Sequence, residues 1–444
     1  MTRPPSAPKL PLVGNALAFN EDPLAFLRKV RQQEGDVVDV DLGPLPVTLV
    51  SHPDVVEDIL VTRSRLFQKD RFLRTTLRPV LGDGLLSSDG DFWRRQRRLM
   101  QPAFHRDRIR GYGRIMVRHA ERLAATWRDG ETRDVHKDMM KLTLEIVSEA
   151  LFGTEVEGDA DAVAEALDAI LDVVSDTVTL FFPLLGKLPT PRKRRFDRAV
   201  QTLDRIIYGI VEARRRDPKP HDDLLAMLLA AEDEDGSKMT DRQLRDECLT
   251  LFLAGHETTA IALSWTFVLL GQNRAAERTL HDELDGHFRS RAPATEDYGT
   301  PALDVASRVI TESLRMYPPA WSMGREAKED VELGGWSIAR GDQIWFCPWS
   351  IHRDPRWFEA LDAFRPERWT ADFTKSLPRY AYFPFGGGPR LCIGQGFALT
   401  EAVLVLATLA RSFRVELDPS HPLVPETSVT LRPKFGVKAR VVRR

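Results

Sequence analysis

The sequence contains little cysteine: Cys248, Cys347 and Cys392 are the only three among 444 residues. An odd count without a CxxC pair argues against a disulfide framework or a zinc ribbon, and it suits a reducing compartment. The formal net charge is only −2, so overall charge gives no reason to expect binding to nucleic acid or to an anionic membrane. We therefore expect a cytoplasmic protein without a nucleic acid partner.

Long apolar runs are also missing. Prolines and a glycine interrupt the N-terminal stretch MTRPPSAPKLPLVGNALAF, which therefore predicts neither a signal peptide nor a membrane anchor. The longest apolar stretch, 249–270, includes His256, Glu257, Thr258 and Thr259. Such polar residues favour a buried core helix over a transmembrane span.

Most of the chain has helical periodicity. Apolar residues recur at three- and four-residue spacing within 105–127, 135–152, 160–180, 195–215 and 241–270, and a last helix is predicted over 396–412. Alternating patterns predict hairpins over 36–50 and over 331–346, the second around Gly334-Gly335. We find no internal repeat and no dividing linker. The sequence predicts a mainly α fold: one large helical domain over 1–444 with a smaller β-rich part.

One cysteine lies in a constrained loop, FGGGPRLCIG at 385–394. A lone cysteine is more often a small buried hydrophobe than a functional group. Here the glycines at 386–388 allow tight bends, Arg390 adds a cation, and a helix start after Cys392 would lower the pKa of its thiol. A phosphate loop is disfavoured because GxGxxG and GK[ST] are both absent. We expect an exposed thiolate that the loop holds rigidly against one face of a flat group.

This loop resembles the haem-binding signature of the cytochrome P-450 family, FxxGxRxCxG, at every fixed position: Phe385, Gly388, Arg390, Cys392 and Gly394. The resemblance implies a cytochrome P-450 fold and a haem b whose iron is bound axially by the Cys392 thiolate, a ligand that pushes electron density onto iron. It also implies that Phe385 shields the sulfur, that Arg390 reaches a haem propionate, and that Gly394 keeps bulk away.

The apolar helix contains a second motif, LFLAGHETTA at 251–260. A carboxylate such as Glu257 among apolar residues is costly unless it is neutralised or paired. A zinc motif HExxH would need histidine where Ala260 stands.

The same stretch resembles the family's oxygen-activation motif, [AG]Gx[DE]T. The resemblance implies that Ala254 and Gly255 let the helix pass close over the haem. It implies that Thr258 holds dioxygen and ordered water through its hydroxyl, and that Glu257 relays protons as a general acid. A threonine hydroxyl can also hydrogen-bond the helix backbone and bend it.

Glu312 and Arg315 form an ExxR pair on one helix face. Exposed pairs of this kind contribute little, but the apolar neighbours predict burial. The resemblance adds Arg368, in FRPERW, as the third member of a structural network behind the haem loop. PLVGN near the N-terminus and HRDPRWF at 352–358 also resemble family segments.

Trp93 and Arg97, four residues apart in the basic stretch DFWRRQRRLM, match the family's WxxxR. A charge run is usually only a solvated helix face. The resemblance implies that both residues hydrogen-bond a haem propionate and that Arg325 is a further propionate ligand. The remaining arginines of this stretch form a candidate docking patch for an acidic electron donor.

The resemblance therefore implies a haem-thiolate monooxygenase, an oxidoreductase that uses dioxygen. Its electrons would come from a separate ferredoxin or flavodoxin-type donor with its reductase. One alternative is a peroxide-driven peroxygenase or an isomerase-type enzyme, against which the intact Glu257-Thr258 pair weighs. A second is a non-catalytic haem-binding sensor.

By family position, the substrate pocket would be lined mainly by apolar side chains, and each of these could equally be ordinary core. Their character suggests a hydrophobic fatty acid, terpenoid or steroid. The candidates are Phe72, Leu73, Leu180, Phe181, Ala254, Ala320, Met323 and Thr427.

Overall fold

Helices make up most of the fold. The computed structural model describes residues 2–43, 45–154, 160–174, 190–219, 221, 223–232 and 238–444. The α-helices in these ranges are α1 Ala16–Glu21, α2 Pro23–Glu34, α3 Pro53–Glu57, α4 Arg78–Leu81, α5 Gly90–Met100, α6 Arg106–Thr126, α7 Val135–Phe152, α8 Ala160–Val174, α9 Pro191–Arg216, α10 Leu224–Ala230, α11 Asp241–Gln272, α12 Arg274–His287, α13 Asp304–Met316, α14 Pro348–Ile351, α15 Ala371–Ser376 and α16 Gln395–Ala410.

The strands are short. They are β1 Val37–Leu42, β2 Leu45–Val50, β3 Phe67–Lys69, β4 Thr132–Asp134, β5 Met323–Ala327, β6 Val331–Leu333, β7 Trp336–Ile338, β8 Gln343–Phe346, β9 Phe413–Leu417, β10 Pro425–Thr427, β11 Leu431–Pro433 and β12 Lys438–Arg443. The largest sheet has the order β1-β2-β8-β5-β3. A three-stranded sheet has the order β4-β12-β9, and β6-β7 and β10-β11 form separate hairpins.

The central element is α11, which packs against α7, α9, α13 and α16. Thr240 begins it with a capping box, in which its hydroxyl accepts the Gln243 amide at 3.2 Å. Beyond the first turns the helix is apolar on nearly all sides, and its residues from Thr259 to Leu270 are buried. A helix of this type belongs in the interior of a large domain, and α16 is buried in the same way.

The structure confirms the mainly α fold with a smaller β part and most of the predicted elements. The helix predicted over 160–180 is observed as Ala160–Val174, and the rest of that range lies outside the described residues. The hairpin around Gly334-Gly335 consists of β6 and β7 alone. Its predicted continuation, β8, instead pairs with β2 and β5 in the large sheet. No helix within the described ranges is long and apolar enough to cross a membrane.

Candidate functional site

The loop before α16 is shaped by its glycines. Gly388 has a φ of 62°, and a Cβ there would fall 1.8 Å from the Leu60 carbonyl oxygen. A side chain larger than hydrogen is therefore excluded. The Cys392 amide donates to the Phe385 carbonyl at 3.0 Å, and the Gly386 amide donates to the Phe383 carbonyl at 3.0 Å. These bonds hold the loop in a fixed conformation that ends at the cysteine.

Cys392 is exposed, whereas Cys248 and Cys347 are buried. Protein atoms nevertheless crowd the Cys392 sulfur, and this desolvation raises the pKa of its thiol. The Gly394 amide and the Arg97 guanidinium act in the opposite direction but do not outweigh it. The expected lowering of this pKa at a helix start was therefore wrong: α16 begins only at Gln395, and burial dominates.

Four basic side chains form a connected cluster beside this loop. Arg325 and Arg390 lower the pKa of Lys69, and Arg325 and Arg97 lower the pKa of Arg390. Arg97 also acts to lower the pKa of the Cys392 thiol. Asp70 and Asp89 are the neighbouring carboxylates. Two carboxylates do not balance these four basic side chains, so the set has a net positive charge even though Lys69, with its lowered pKa, is only partly charged near neutral pH.

Arg390 and Arg97 are both fixed by backbone oxygens. Arg390 donates to the Ser88 carbonyl at 2.9 Å, pairs with Asp89, and lies 3.7 Å above the Trp93 ring. Burial lowers the pKa of Arg390 to about 10. Arg97 donates to the Leu391 carbonyl at 2.7 Å. The predicted WxxxR pair and the predicted Arg390 therefore meet at one place.

Arg325 is buried in β5, where it donates to the Gly324 carbonyl at 2.7 Å and lies 5.8 Å from the Phe346 ring centre. Lys69, its register partner in β3, was missed by sequence reasoning. Burial, together with Arg325 and Arg390, lowers the pKa of Lys69 to about 7. Lys69 belongs to no sequence motif. Only the pairing of β3 with β5 brings it to the cluster.

On α11 the structure gives Glu257 a partner. The Thr430 hydroxyl, between β10 and β11, donates to Oε1 of Glu257 at 2.7 Å. The Thr258 hydroxyl donates to the Ala254 carbonyl at 2.7 Å, the predicted bond to the helix backbone. Ala254 is exposed in the middle of this largely buried helix.

Gly255 has a packing role that was not predicted. A Cβ at this position would lie 2.9 Å from Cγ2 of Val147 on α7. The glycine therefore allows close packing of α11 on α7, and its predicted approach to the haem stays a prediction.

Glu401 on α16 is a second residue that sequence reasoning missed. It is fully buried, and burial raises the pKa of its carboxyl well above the usual value. The Thr259 hydroxyl, next to Thr258 in sequence, acts in the opposite direction but does not outweigh burial. The only available signal was an acidic residue in the otherwise apolar run FALTEAVLVLA.

The predicted ExxR network is present and buried. Arg315 donates to both carboxylate oxygens of Glu312 at 2.9 Å. Arg368 donates to Glu312 at 3.2 Å, and the indole of Trp369 donates to it at 2.9 Å. Arg315 also donates to three backbone carbonyls of the segment that follows β8: those of His352, Leu361 and Ala363.

The predicted pocket residues are only partly described. Phe72, Leu73, Ala320, Met323 and Thr427 are half-buried, as is Phe385 of the loop. Leu180 and Phe181 lie outside the described residues.

Comparisons with known proteins agree with this geometry. The model of the cytochrome P-450 family matches residues 4–439. Cyclooctatin synthase of Streptomyces melanosporofaciens is 39% identical over 98% of this chain and 93% of its own length. Pentalenene oxygenase of Streptomyces avermitilis is 34% identical over 98% and 96%.

A third relative, cyclooctat-9-en-7-ol 5-monooxygenase of Streptomyces melanosporofaciens, is 36% identical over 93% of this chain and 90% of its own length. The crystal structure of the cytochrome P450DA haem domain superposes with a TM-score of 0.88 at 28% identity, covering 100% of this chain and 98% of that one. The chain therefore belongs to the cytochrome P-450 family of haem-dependent monooxygenases.

Proposed function

We propose that this protein uses a haem b, held by the Cys392 thiolate, to oxygenate a hydrophobic terpenoid. The observation that carries the proposal is the position of one exposed cysteine, in a rigid glycine loop, beside a cluster of basic side chains of which Lys69 and Arg325 are buried. The family implies a haem with a cysteine thiolate ligand. The match over residues 4–439 also supports a single domain.

The residues of the site fit this cofactor. Haem b carries two propionates, and the cluster of Lys69, Arg97, Arg325 and Arg390 with two aspartates has a net positive charge. Guanidinium groups bind carboxylates strongly through charge-assisted hydrogen bonds. The Gly394 amide, which favours the thiolate form of Cys392, also moderates the donor strength of the sulfur.

When bound, the haem supplies the iron at which dioxygen is activated. Glu257 then serves as the acid that passes protons inward, and the Thr430 hydroxyl orients its carboxylate. The Thr258 hydroxyl, bonded to the Ala254 carbonyl, has lone pairs free to accept a hydrogen bond from an ordered water. The exposed Ala254, four residues before Thr258 on the same helix face, would border the reacting molecules.

The substrate class rests on the relatives. Their names refer to pentalenene and to cyclooctatin compounds, which are cyclic terpenoids. The half-buried Phe72, Leu73 and Met323 suit an apolar guest. We therefore infer a cyclic terpenoid as substrate, ahead of a fatty acid or steroid.

We also infer that electrons arrive from a ferredoxin or flavodoxin-type protein. Arg94 and Arg98 are exposed on α5, the helix that also carries Trp93 and Arg97. Such a basic surface near the site would speed encounter with an acidic donor. The few cysteines suit a cytoplasmic enzyme.

Spectroscopy of the purified protein tests the proposal. The reduced protein with carbon monoxide should give the red-shifted band of a thiolate ligand, and Cys392→Ala should abolish it. In titrations with cyclic terpenoids, fatty acids and steroids, the haem band should shift at the lowest ligand concentration with the terpenoids. A neutral-ligand band in the wild type would refute the Cys392 assignment, and a response to steroids or fatty acids alone would refute the substrate class.

Turnover assays separate the reaction types. With a ferredoxin and its reductase, wild-type protein should form product, and Thr258→Ala should consume reducing equivalents with little product. Efficient turnover with hydrogen peroxide alone, unaffected by Thr258→Ala, would instead indicate a peroxygenase.

A further inference from the structure

The segment HRDPRWF begins with His352, which lies between the ExxR helix and the cysteine loop. The residue is fully buried and follows α14 directly. Its Nε2 accepts the Phe383 amide at 2.9 Å, and its carbonyl accepts Nη1 of Arg315 at 3.1 Å. One residue therefore contacts both α13 and the segment that leads to Cys392.

The surroundings of His352 favour the neutral form of its ring. Burial, with Arg315 and Arg353 nearby, lowers its pKa well below the usual value. A neutral imidazole has one acceptor nitrogen, and the Phe383 amide assigns that role to Nε2. The ring also packs against Tyr382 at 5.0 Å and Phe383 at 5.5 Å between ring centres.

Hydrogen bonds continue from Phe383 to the cysteine. The Phe383 carbonyl accepts the Gly386 amide, and the Phe385 carbonyl accepts the Cys392 amide, each at 3.0 Å. A second hydrogen bond also links this segment to α13: the Tyr382 hydroxyl donates to the Thr311 carbonyl at 3.0 Å. The loop is thus anchored at Phe383, where it begins. Its own two backbone hydrogen bonds, at Gly386 and Cys392, connect this anchor to the cysteine.

We propose that His352 is a positioning residue for Cys392: its Nε2 fixes the start of the cysteine loop on the buried Glu312–Arg315 helix. The inference rests on the proposed role of Cys392 as the haem ligand. Loss of the acceptor would leave the Phe383 amide buried without its partner, a state that favours local opening of the loop. Because two further loop bonds lie between Phe383 and Cys392, opening at Phe383 loosens this side of the loop, while Arg97 still holds the Leu391 carbonyl.

Three variants of the holoenzyme test the proposal. His352→Leu removes the acceptor, and His352→Gln retains one at the end of its side chain. His136→Leu is a matched control, because His136 is also desolvated and bonds the Ser264 hydroxyl at 2.9 Å, but on α7. The measurements are amide hydrogen exchange over 383–392 and the carbon monoxide band of the reduced protein.

For His352→Leu we expect exchange over 383–392 to accelerate roughly tenfold and the band to shift partly toward that of a neutral thiol ligand. His352→Gln should restore both toward wild type, and His136→Leu should change neither. Unchanged loop exchange in His352→Leu would overturn the proposal. Equal damage in His352→Gln and His352→Leu would also overturn it, because packing alone would then explain the effect.

A measurement on wild-type protein decides the question if His352→Leu does not fold. The Phe383 amide should exchange as slowly as the amides of α13, and exchange at the rate of surface loops would overturn the proposal. The wild-type band serves a separate purpose: a neutral-ligand band there refutes Cys392 as thiolate ligand, whereas the exchange data test the His352 bond independently.

Discussion

The Thr430 hydroxyl donates a 2.7 Å hydrogen bond to Oε1 of Glu257. The two residues belong to different parts of the fold, a C-terminal turn and the central helix α11. Thr430 is buried, so its hydroxyl is held in place. The carboxylate that we assign to proton transfer is therefore oriented by a residue outside the oxygen-activation motif.

Replacing Thr430 by valine should reduce the yield of product per electron consumed. Valine keeps the shape but removes the donor, so Glu257 loses one constraint on its orientation. We expect a loss smaller than the roughly 100-fold that removal of a general acid itself costs. The measurement is product formed against reduced nicotinamide consumed. Thr430→Ser, which keeps the hydroxyl, is the control, and equal yields in Thr430→Val and wild type would contradict the assignment.

Glu401 predicts a pH dependence of stability. Its folded-state pKa is well above the usual value, whereas the unfolded chain has an ordinary carboxyl pKa of about 4.3. Between these two values the unfolded state has released a proton that the folded state keeps, so this group lowers stability as pH rises. The slope is at most about 1.4 kcal/mol per pH unit.

Glu401→Gln should remove that slope. The variant should gain free energy of unfolding over wild type as pH is raised from 5 to 8, by about 1 kcal/mol or more. Denaturant unfolding at several pH values measures it. Glu329→Gln, at an exposed carboxylate, is the control. A constant difference between Glu401→Gln and wild type across this range would show that Glu401 is already ionised.

Sequence reasoning found the parts of the site that are local in the chain. Glu312 and Arg315, or Trp93 and Arg97, lie three or four residues apart on a helix, and helix geometry alone places such pairs on one face. Lys69 and Thr430 could not be found in this way. Their partners are set by strand pairing and by the packing of a distant turn on α11.

Tertiary packing also explains one error and one contact that was not predicted. Gly255 contacts α7 and the thiol pKa of Cys392 is raised by burial, and both facts depend on tertiary packing. Sequence position gave the residue types correctly but could not say which neighbour each would meet.

The buried Arg315 should not tolerate lysine. Its guanidinium bonds both oxygens of Glu312 and three carbonyls, and a lysine ammonium cannot reproduce that planar geometry. Breaking a buried ion pair costs about 3–5 kcal/mol of unfolding free energy. We expect the loss in Arg315→Lys to lie near the lower end of this range, because lysine keeps the positive charge opposite Glu312. Chemical denaturation measures the loss. The control is Arg365→Lys at the exposed pair with Glu367, where little change is expected, and equal effects at both sites would contradict the argument.

Lys69 should help to retain the haem. In the structure its pKa falls to about 7 because burial and two arginines disfavour its charge. A propionate nearby would favour the charged form and gain a charge-assisted hydrogen bond, a contribution of about 1.5–3 kcal/mol. Lys69→Gln should therefore speed haem transfer to an excess of a haem-free globin by roughly tenfold or more. Lys328→Gln, at an exposed lysine just beyond β5, should leave the rate unchanged. If Lys69→Gln released haem at the wild-type rate, Lys69 would be a core residue without a part in binding the cofactor.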